Sequence, residues 1–158
     1  MTPRNVESVW DYPRPPRVEP TSAVIEVVLG GVTVLRTQRS FRVLETSHPP
    51  TFYLPVEAFM PGSLLPVAGQ SLCEWKGVAA YFDIAAGTSV ARRAAWGYPN
   101  PTSAYRVLQD HVAIYPAAMD RCTVDGEVVV AQPGDFYGGW ITTSVIGPFK
   151  GEPGSRAW

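Results

Sequence analysis

A mainly β fold, one compact domain of short antiparallel strands with one short helix, is the class this sequence predicts, and three observations predict it. Only 17% of residues are charged while 46% are hydrophobic, where soluble domains usually carry roughly a quarter charged residues. The 158 residues include 14 glycines and 16 prolines, which disfavour a helical bundle or a coiled coil. The apolar runs are short, rich in β-branched residues, and separated by two-residue turn signals. The length suits a single domain that buries a sizeable core without staples.

Residues 1–22 form a Pro- and Arg-rich lead-in, with Arg14-Pro15-Pro16-Arg17 and Glu19-Pro20, expected to wrap the body in extended form. Residues 23–132 are the expected β-rich core. Ala23 to Leu29 reads as a strand, Gly30-Gly31 as a two-residue hairpin turn and Val32 to Leu35 as its partner, because glycine supplies the positive φ such turns require. Phe41 to Leu44 and Thr51 to Leu54 are further strands flanking the loop Glu45-Thr46-Ser47-His48-Pro49-Pro50. Val78 to Ala85 follows the corner Trp75-Lys76-Gly77, turns at Gly87-Thr88 and returns as Ser89 to Trp96. Tyr105, Leu108 and Val112 fall at amphipathic-helix spacing, which predicts a helix of about three turns over Ser103 to Val112, capped by Ser103 or Thr102. Asp125-Gly126 marks a second hairpin between Cys122-Thr123-Val124 and Val128-Val129-Val130. Residues 133–158 are a Gly-, Pro- and aromatic-rich extension expected to lie on the body.

The formal net charge of -1 provides no global field for nucleic acid or an anionic membrane. No apolar run approaches the roughly 20 residues needed to span a bilayer, and Met1 to Pro16 lacks the apolar core of a signal peptide, so the expected location is the cytoplasm. Cys73 and Cys122 are the only cysteines and are expected to be free thiols. Together with His48 and His111 they lack the close pairing of zinc ligands, so neither metal nor cofactor is expected. No P-loop or dinucleotide fingerprint is present, and Gly62-Ser63 lacks the paired carboxylates that nucleotidyl transfer uses to hold magnesium.

Two runs carry chemistry. In Glu45-Thr46-Ser47-His48 a carboxylate, two hydroxyls and an imidazole end a strand: either His48 exchanges a proton while Glu45 fixes its tautomer, or the polar groups satisfy a tight turn ended by two prolines. In Cys73-Glu74-Trp75-Lys76-Gly77 either Lys76 sits under an anionic ligand beside Trp75, or its stem covers Trp75 at the surface. Cys73 is either a nucleophile activated by His48 or Lys76, or an inert thiol. The two lysines share a setting, since Lys76 and Lys150 each follow an aromatic and precede glycine, against eleven arginines. Trp10-Asp11-Tyr12-Pro13-Arg14-Pro15 and Trp96-Gly97-Tyr98-Pro99-Asn100-Pro101 share Trp-x-Tyr-Pro-x-Pro, aromatic units that either plug a sheet end or line a cleft.

Glu7 to Pro16, Glu45-Thr46-Ser47-His48-Pro49-Pro50, Cys73-Glu74-Trp75-Lys76-Gly77, Ala95-Trp96-Gly97-Tyr98-Pro99 and Val124-Asp125-Gly126-Glu127 together resemble the bacterial and fungal family called domain of unknown function 427. The resemblance implies a small β-rich domain similar to the β-tent architecture of zinc-binding relatives, without their cysteine pairs. It supplies no reaction, although a nucleotidyltransferase label is sometimes attached to the family.

The leading expectation is therefore a domain that binds or processes a small molecule, in a cleft where the two chemistry-bearing runs meet. Glu45, Ser47, His48 and Lys76 are the catalytic candidates, and Thr46, Tyr53, Cys73, Trp75, Trp96 and Tyr98 the ligand-binding ones. The rival is a non-catalytic module whose Pro-rich and aromatic termini dock a partner protein. Nucleic acid and membrane are not expected as partners, and a homodimer is left open.

Overall fold

The computed structural model describes residues 6–134 and 137–158. Residues 1–5 of the expected lead-in, and Asp135 and Phe136 of the expected extension, lie outside the described residues. The strands are β1 (Glu7–Ser8), β2 (Arg17–Thr21), β3 (Ile25–Leu29), β4 (Val32–Thr37), β5 (Ser40–Leu44), β6 (Thr51–Pro55), β7 (Leu64–Cys73) and β8 (Gly77–Ala86). They continue with β9 (Ser89–Gly97), β10 (His111–Ile114), β11 (Arg121–Val124), β12 (Glu127–Val128), β13 (Val130–Ala131), β14 (Trp140–Ile141) and β15 (Val145–Ile146). The fold is mainly β, and its two larger sheets are antiparallel throughout.

Local chemistry explains the hairpins. Gly30 and Gly31 both take positive φ, 59° and 75°, where the chain reverses from β3 into β4. Two consecutive left-handed residues match the right-handed twist of the flanking strands. The lead-in pairs as an edge strand: β2 runs antiparallel to β5, with Pro20 opposite Phe41. An edge is where a sheet tolerates a residue that has no N–H to donate.

Seven strands in the order β2-β5-β6-β10-β9-β8-β7 form the larger sheet, and β12-β11-β3-β4 the smaller one. Strand alternation makes the larger sheet two-faced. Phe52, Leu54, Ile84, Val112 and Ile114 pack with Ile25, Val27, Val34, Leu35 and Cys122 of the smaller sheet in the main core. Tyr53, Ala79, Tyr98 and Ala113 join Val43, Tyr105 and Leu108 in a second cluster, with Trp75 and Trp96 packed against it. The C-terminal segment is anchored by Trp140, which is 1% exposed, stacks on Phe52 with ring centroids 4.9 Å apart and donates its indole N–H to the Ile114 carbonyl at 3.1 Å. Among the described residues no helix is long and apolar enough to cross a membrane.

The expected three-turn helix is present only as a 3-10 segment, Ser103–Leu108, kinked at Tyr105. Val112 belongs instead to β10, which is hydrogen-bonded between β6 and β9. The spacing of Tyr105, Leu108 and Val112 reflects burial in two different clusters, not one helical face. Thr102 does not cap the segment with its side chain; its hydroxyl donates to the Trp75 carbonyl at 2.6 Å. Strand β7 is a further element without a sequence expectation, since its proline and glycine interrupt the alternation and a shift in register separates Val67 from Gln70.

Candidate functional site

The floor of the site is a row of cross-strand neighbours. Tyr53 on β6 faces Ala113 on β10, Ala113 faces Trp96 on β9, and Trp96 faces Tyr81 on β8. Alanine in the middle of an aromatic row leaves a depression, because its methyl group stops well short of the neighbouring rings. The Tyr53 and Trp96 rings meet edge to face at 6.4 Å, Tyr53 and Tyr98 lie 6.3 Å apart, and Trp96 and Tyr115 4.4 Å. Above this floor is a cavity of about 330 Å³.

One wall is the loop after β5, which contributes Glu45 and His48; a second is the turn between β7 and β8, with Cys73, Trp75 and Lys76. Thr102 holds that turn, donating its backbone N–H to the Lys76 carbonyl at 3.0 Å as well as its hydroxyl to Trp75. The third wall is the C-terminal segment, through Gln132, Tyr137 and Gly138. Gln132 fixes this segment by donating to the Lys150 carbonyl at 2.8 Å and accepting from the Gly139 N–H at 3.0 Å. Gly138 lies so close to the Trp96 ring that any Cβ there would collide with it.

Of the residues singled out in the sequence, Glu45, Tyr53, Cys73, Trp75, Lys76, Trp96, Tyr98 and His48 all line this cavity. Thr46 and Ser47 do not. Thr46, expected as a ligand-binding residue, bonds within the protein instead: its hydroxyl donates to the Tyr12 carbonyl at 2.5 Å, and its own carbonyl accepts from Arg14 at 3.0 Å and from His48 Nδ1 at 2.9 Å. Ser47 takes a left-handed backbone with φ of 70°, is fully buried, and its Oγ has no hydrogen-bond partner. Its N–H donates to Val9 and its carbonyl accepts from Lys150, so it ties the loop to both ends of the chain. Expected as a catalytic candidate, Ser47 has its hydroxyl enclosed in the fold and is not among the residues lining the cavity.

The electrostatics give each polar group a distinct state. A carbonyl only accepts, so His48 Nδ1 carries the hydrogen donated to Thr46, and in the neutral ring Nε2 is left as an acceptor. Burial holds the His48 pKa below the usual 6.5, aided by Arg14 and Lys150 and opposed by the Thr46 bond and Glu45. The imidazole is therefore neutral at pH 7, and its 3.9 Å approach to Glu45 is a dipolar contact, not an ion pair. Glu45 has a cationic partner in Arg14 at 3.5 Å. Burial pushes the Tyr53 and Tyr98 phenols up, with the Cys73 thiol adding to the effect at Tyr98, so both remain protonated.

Lys76 is 8% exposed, and its Nζ lies 5.7 Å from the centre of the Tyr98 ring. Lys150, the other lysine in the same sequence setting, is 9% exposed and donates to the main-chain oxygens of Ser155, Arg156 and Trp158 at 2.7, 2.7 and 3.3 Å. The shared motif thus serves two unlike ends. Among the described residues no group of three His, Cys, Asp or Glu side chains is placed to hold a metal. A second concavity of about 270 Å³ surrounds Arg42, which bonds Glu7 at 3.0 Å and also Glu19, leaving that cation matched by carboxylates.

Sequence reasoning missed Tyr115, Gln132 and Tyr137 as wall residues. Nothing local marks them: Tyr115 follows β10 and reaches the cavity by packing on Trp96, while Gln132 and Tyr137 come from the C-terminal segment, where Gln132 is tied to Lys150 and Gly139. A family model described as a domain of unknown function, DUF427, matches residues 17–125. No curated protein matches the chain. Arg14 and the whole C-terminal wall of the cavity lie beyond the matched stretch.

Proposed function

We propose that this chain, which belongs to the DUF427 family, binds or processes a small molecule in the cavity over the Tyr53–Ala113–Trp96 row. The observation that carries the reading is that His48 and the buried Lys76 line one aromatic-walled cavity of about 330 Å³. That volume lies within the range of small-molecule sites, which are mostly apolar with a few converging polar groups. His48 accepts a hydrogen bond or a proton from the occupant, Lys76 supplies positive charge, and the protonated Tyr53 and Tyr98 hydroxyls supply further polar contacts.

An interaction module would present its aromatics on a flat open face. Here the rings of both Trp-x-Tyr-Pro-x-Pro units are largely enclosed; Trp10 is the exception at 41% exposed, and it meets Trp158 edge to face at 5.1 Å. The test is a thermal-shift screen of metabolites against the wild-type protein and the variants His48→Ala and Lys76→Met. Ligands that raise the melting temperature of the wild type and lose their effect in either variant support the reading, because binding to the native state raises apparent stability. Ligands whose effect is untouched by both substitutions would move the site elsewhere and refute it.

A further inference from the structure

We infer that the occupant is a small planar acid, an aromatic ring bearing one carboxylate, with its charge seated on Lys76; this rests on reading the cavity as a binding site. Lys76 is more than nine-tenths buried and lines the cavity. Among the described residues its Nζ has neither a carboxylate within ion-pair range nor an oxygen accepting a hydrogen bond. The Tyr98 ring face at 5.7 Å offers quadrupole attraction but no lone pair along the N–H directions.

Lys150 is the internal standard. At almost the same burial it gathers three main-chain oxygens, the full complement for an ammonium. Glu45 and Glu74 line the cavity with Lys76, but neither lies within ion-pair range of it: Glu45 holds Arg14, and Glu74 sits at the exposed rim. A buried cation without counter-charge favours an anionic guest, because the guest's oxygens replace the hydration that burial removed.

Planarity follows from the walls. Tyr53, Trp75, Trp96, Tyr98 and Tyr115 present ring faces and edges, which pack flat apolar bodies in stacked or edge-on geometry. The cavity volume of about 330 Å³ is at the small end for ligand sites and matches a compact ring system. His48 Nε2, an acceptor, favours a ring that also carries a hydroxyl.

The experiment is calorimetric titration of the full chain with benzoate, 4-hydroxybenzoate, the neutral isostere benzamide, and acetate, with alkylation of Cys73 by iodoacetamide as a reporter of cavity occupancy. The expected result is that the two aromatic acids bind at least tenfold more tightly than benzamide or acetate and slow the modification of Cys73. Lys76→Met is expected to abolish the preference for benzoate over benzamide, and Lys76→Arg to keep it. Benzamide binding as tightly as benzoate, a preference that survives Lys76→Met, or no binding of either acid at millimolar concentration overturns the inference. The benzoate–benzamide comparison in the wild-type protein decides the matter even if a variant fails to fold. Protection of Cys73 by benzamide alone would sink the anion assignment and leave the cavity reading standing, whereas a metabolite screen with no compound protecting Cys73 would sink both.

Discussion

Replacing each lysine by methionine separates two residues that share one sequence motif. Lys150→Met keeps the apolar stem and removes three donors to main-chain oxygens, two of them at 2.7 Å. A hydrogen bond involving a charged group contributes about 1.5–3 kcal/mol. The third bond is long at 3.3 Å, and carbonyls near the chain end regain water, so the expected loss is about 2–4 kcal/mol in total. At about 2–4 °C per kcal/mol for a domain of this size, the melting temperature should fall by about 5–15 °C. Lys76→Met removes a buried ammonium that has only a ring face beside it. The forfeited cation–π attraction is about 0.5–2 kcal/mol, and relief from desolvation offsets it, so stability should change by less than about 1 kcal/mol. Urea unfolding at neutral pH, followed by far-UV circular dichroism with unchanged m-values, measures both. Equal losses in the two variants, or a loss above about 2 kcal/mol for Lys76→Met, would refute the argument that Lys76 lacks an internal partner.

Trp140→Ala should cost about 3–5 kcal/mol by leaving a cavity beside Phe52 and freeing the Ile114 carbonyl, and a urea-unfolding loss below about 1 kcal/mol would show that the C-terminal segment is not anchored there. His48 should titrate by NMR below the usual 6.5, because burial disfavours its charged form. The unfolded chain then takes up the proton first, so this residue's contribution to stability is full above pH 6.5 and declines as the pH falls below it; His48→Gln should flatten that part of the stability profile. Mass spectrometry after brief iodoacetamide treatment should find Cys73 modified and Cys122 intact, since Cys73 is half-buried at the cavity while burial pushes the Cys122 thiol up to about 12.

Features that depend on neighbours along the chain were legible from sequence. The β class, the hairpins at Gly30-Gly31 and Asp125-Gly126, and the strands β3, β4 and β11 follow from turn chemistry and β-branched runs acting within a few residues, whereas the expected strand Val128-Val129-Val130 is split between β12 and β13, which pair in different sheets. The grouping of Glu45, His48, Cys73, Trp75 and Lys76 was also anticipated, because each run ends a strand and offers polar groups beside an aromatic. Tertiary structure alone decided the rest. Tyr105, Leu108 and Val112 have helical spacing, yet Val112 is drawn into β10 because hydrogen bonds to both β6 and β9 outweigh a short helix's weak local preference. Ser47 and His48 are adjacent, but a left-handed backbone encloses one while the other lines the cavity. Lys76 and Lys150 sit in matching tripeptides, and what separates them is which oxygens the fold brings to each ammonium. A residue's type sets what it can bond; only the packing of distant segments sets whether those bonds are made within the protein or left for a guest.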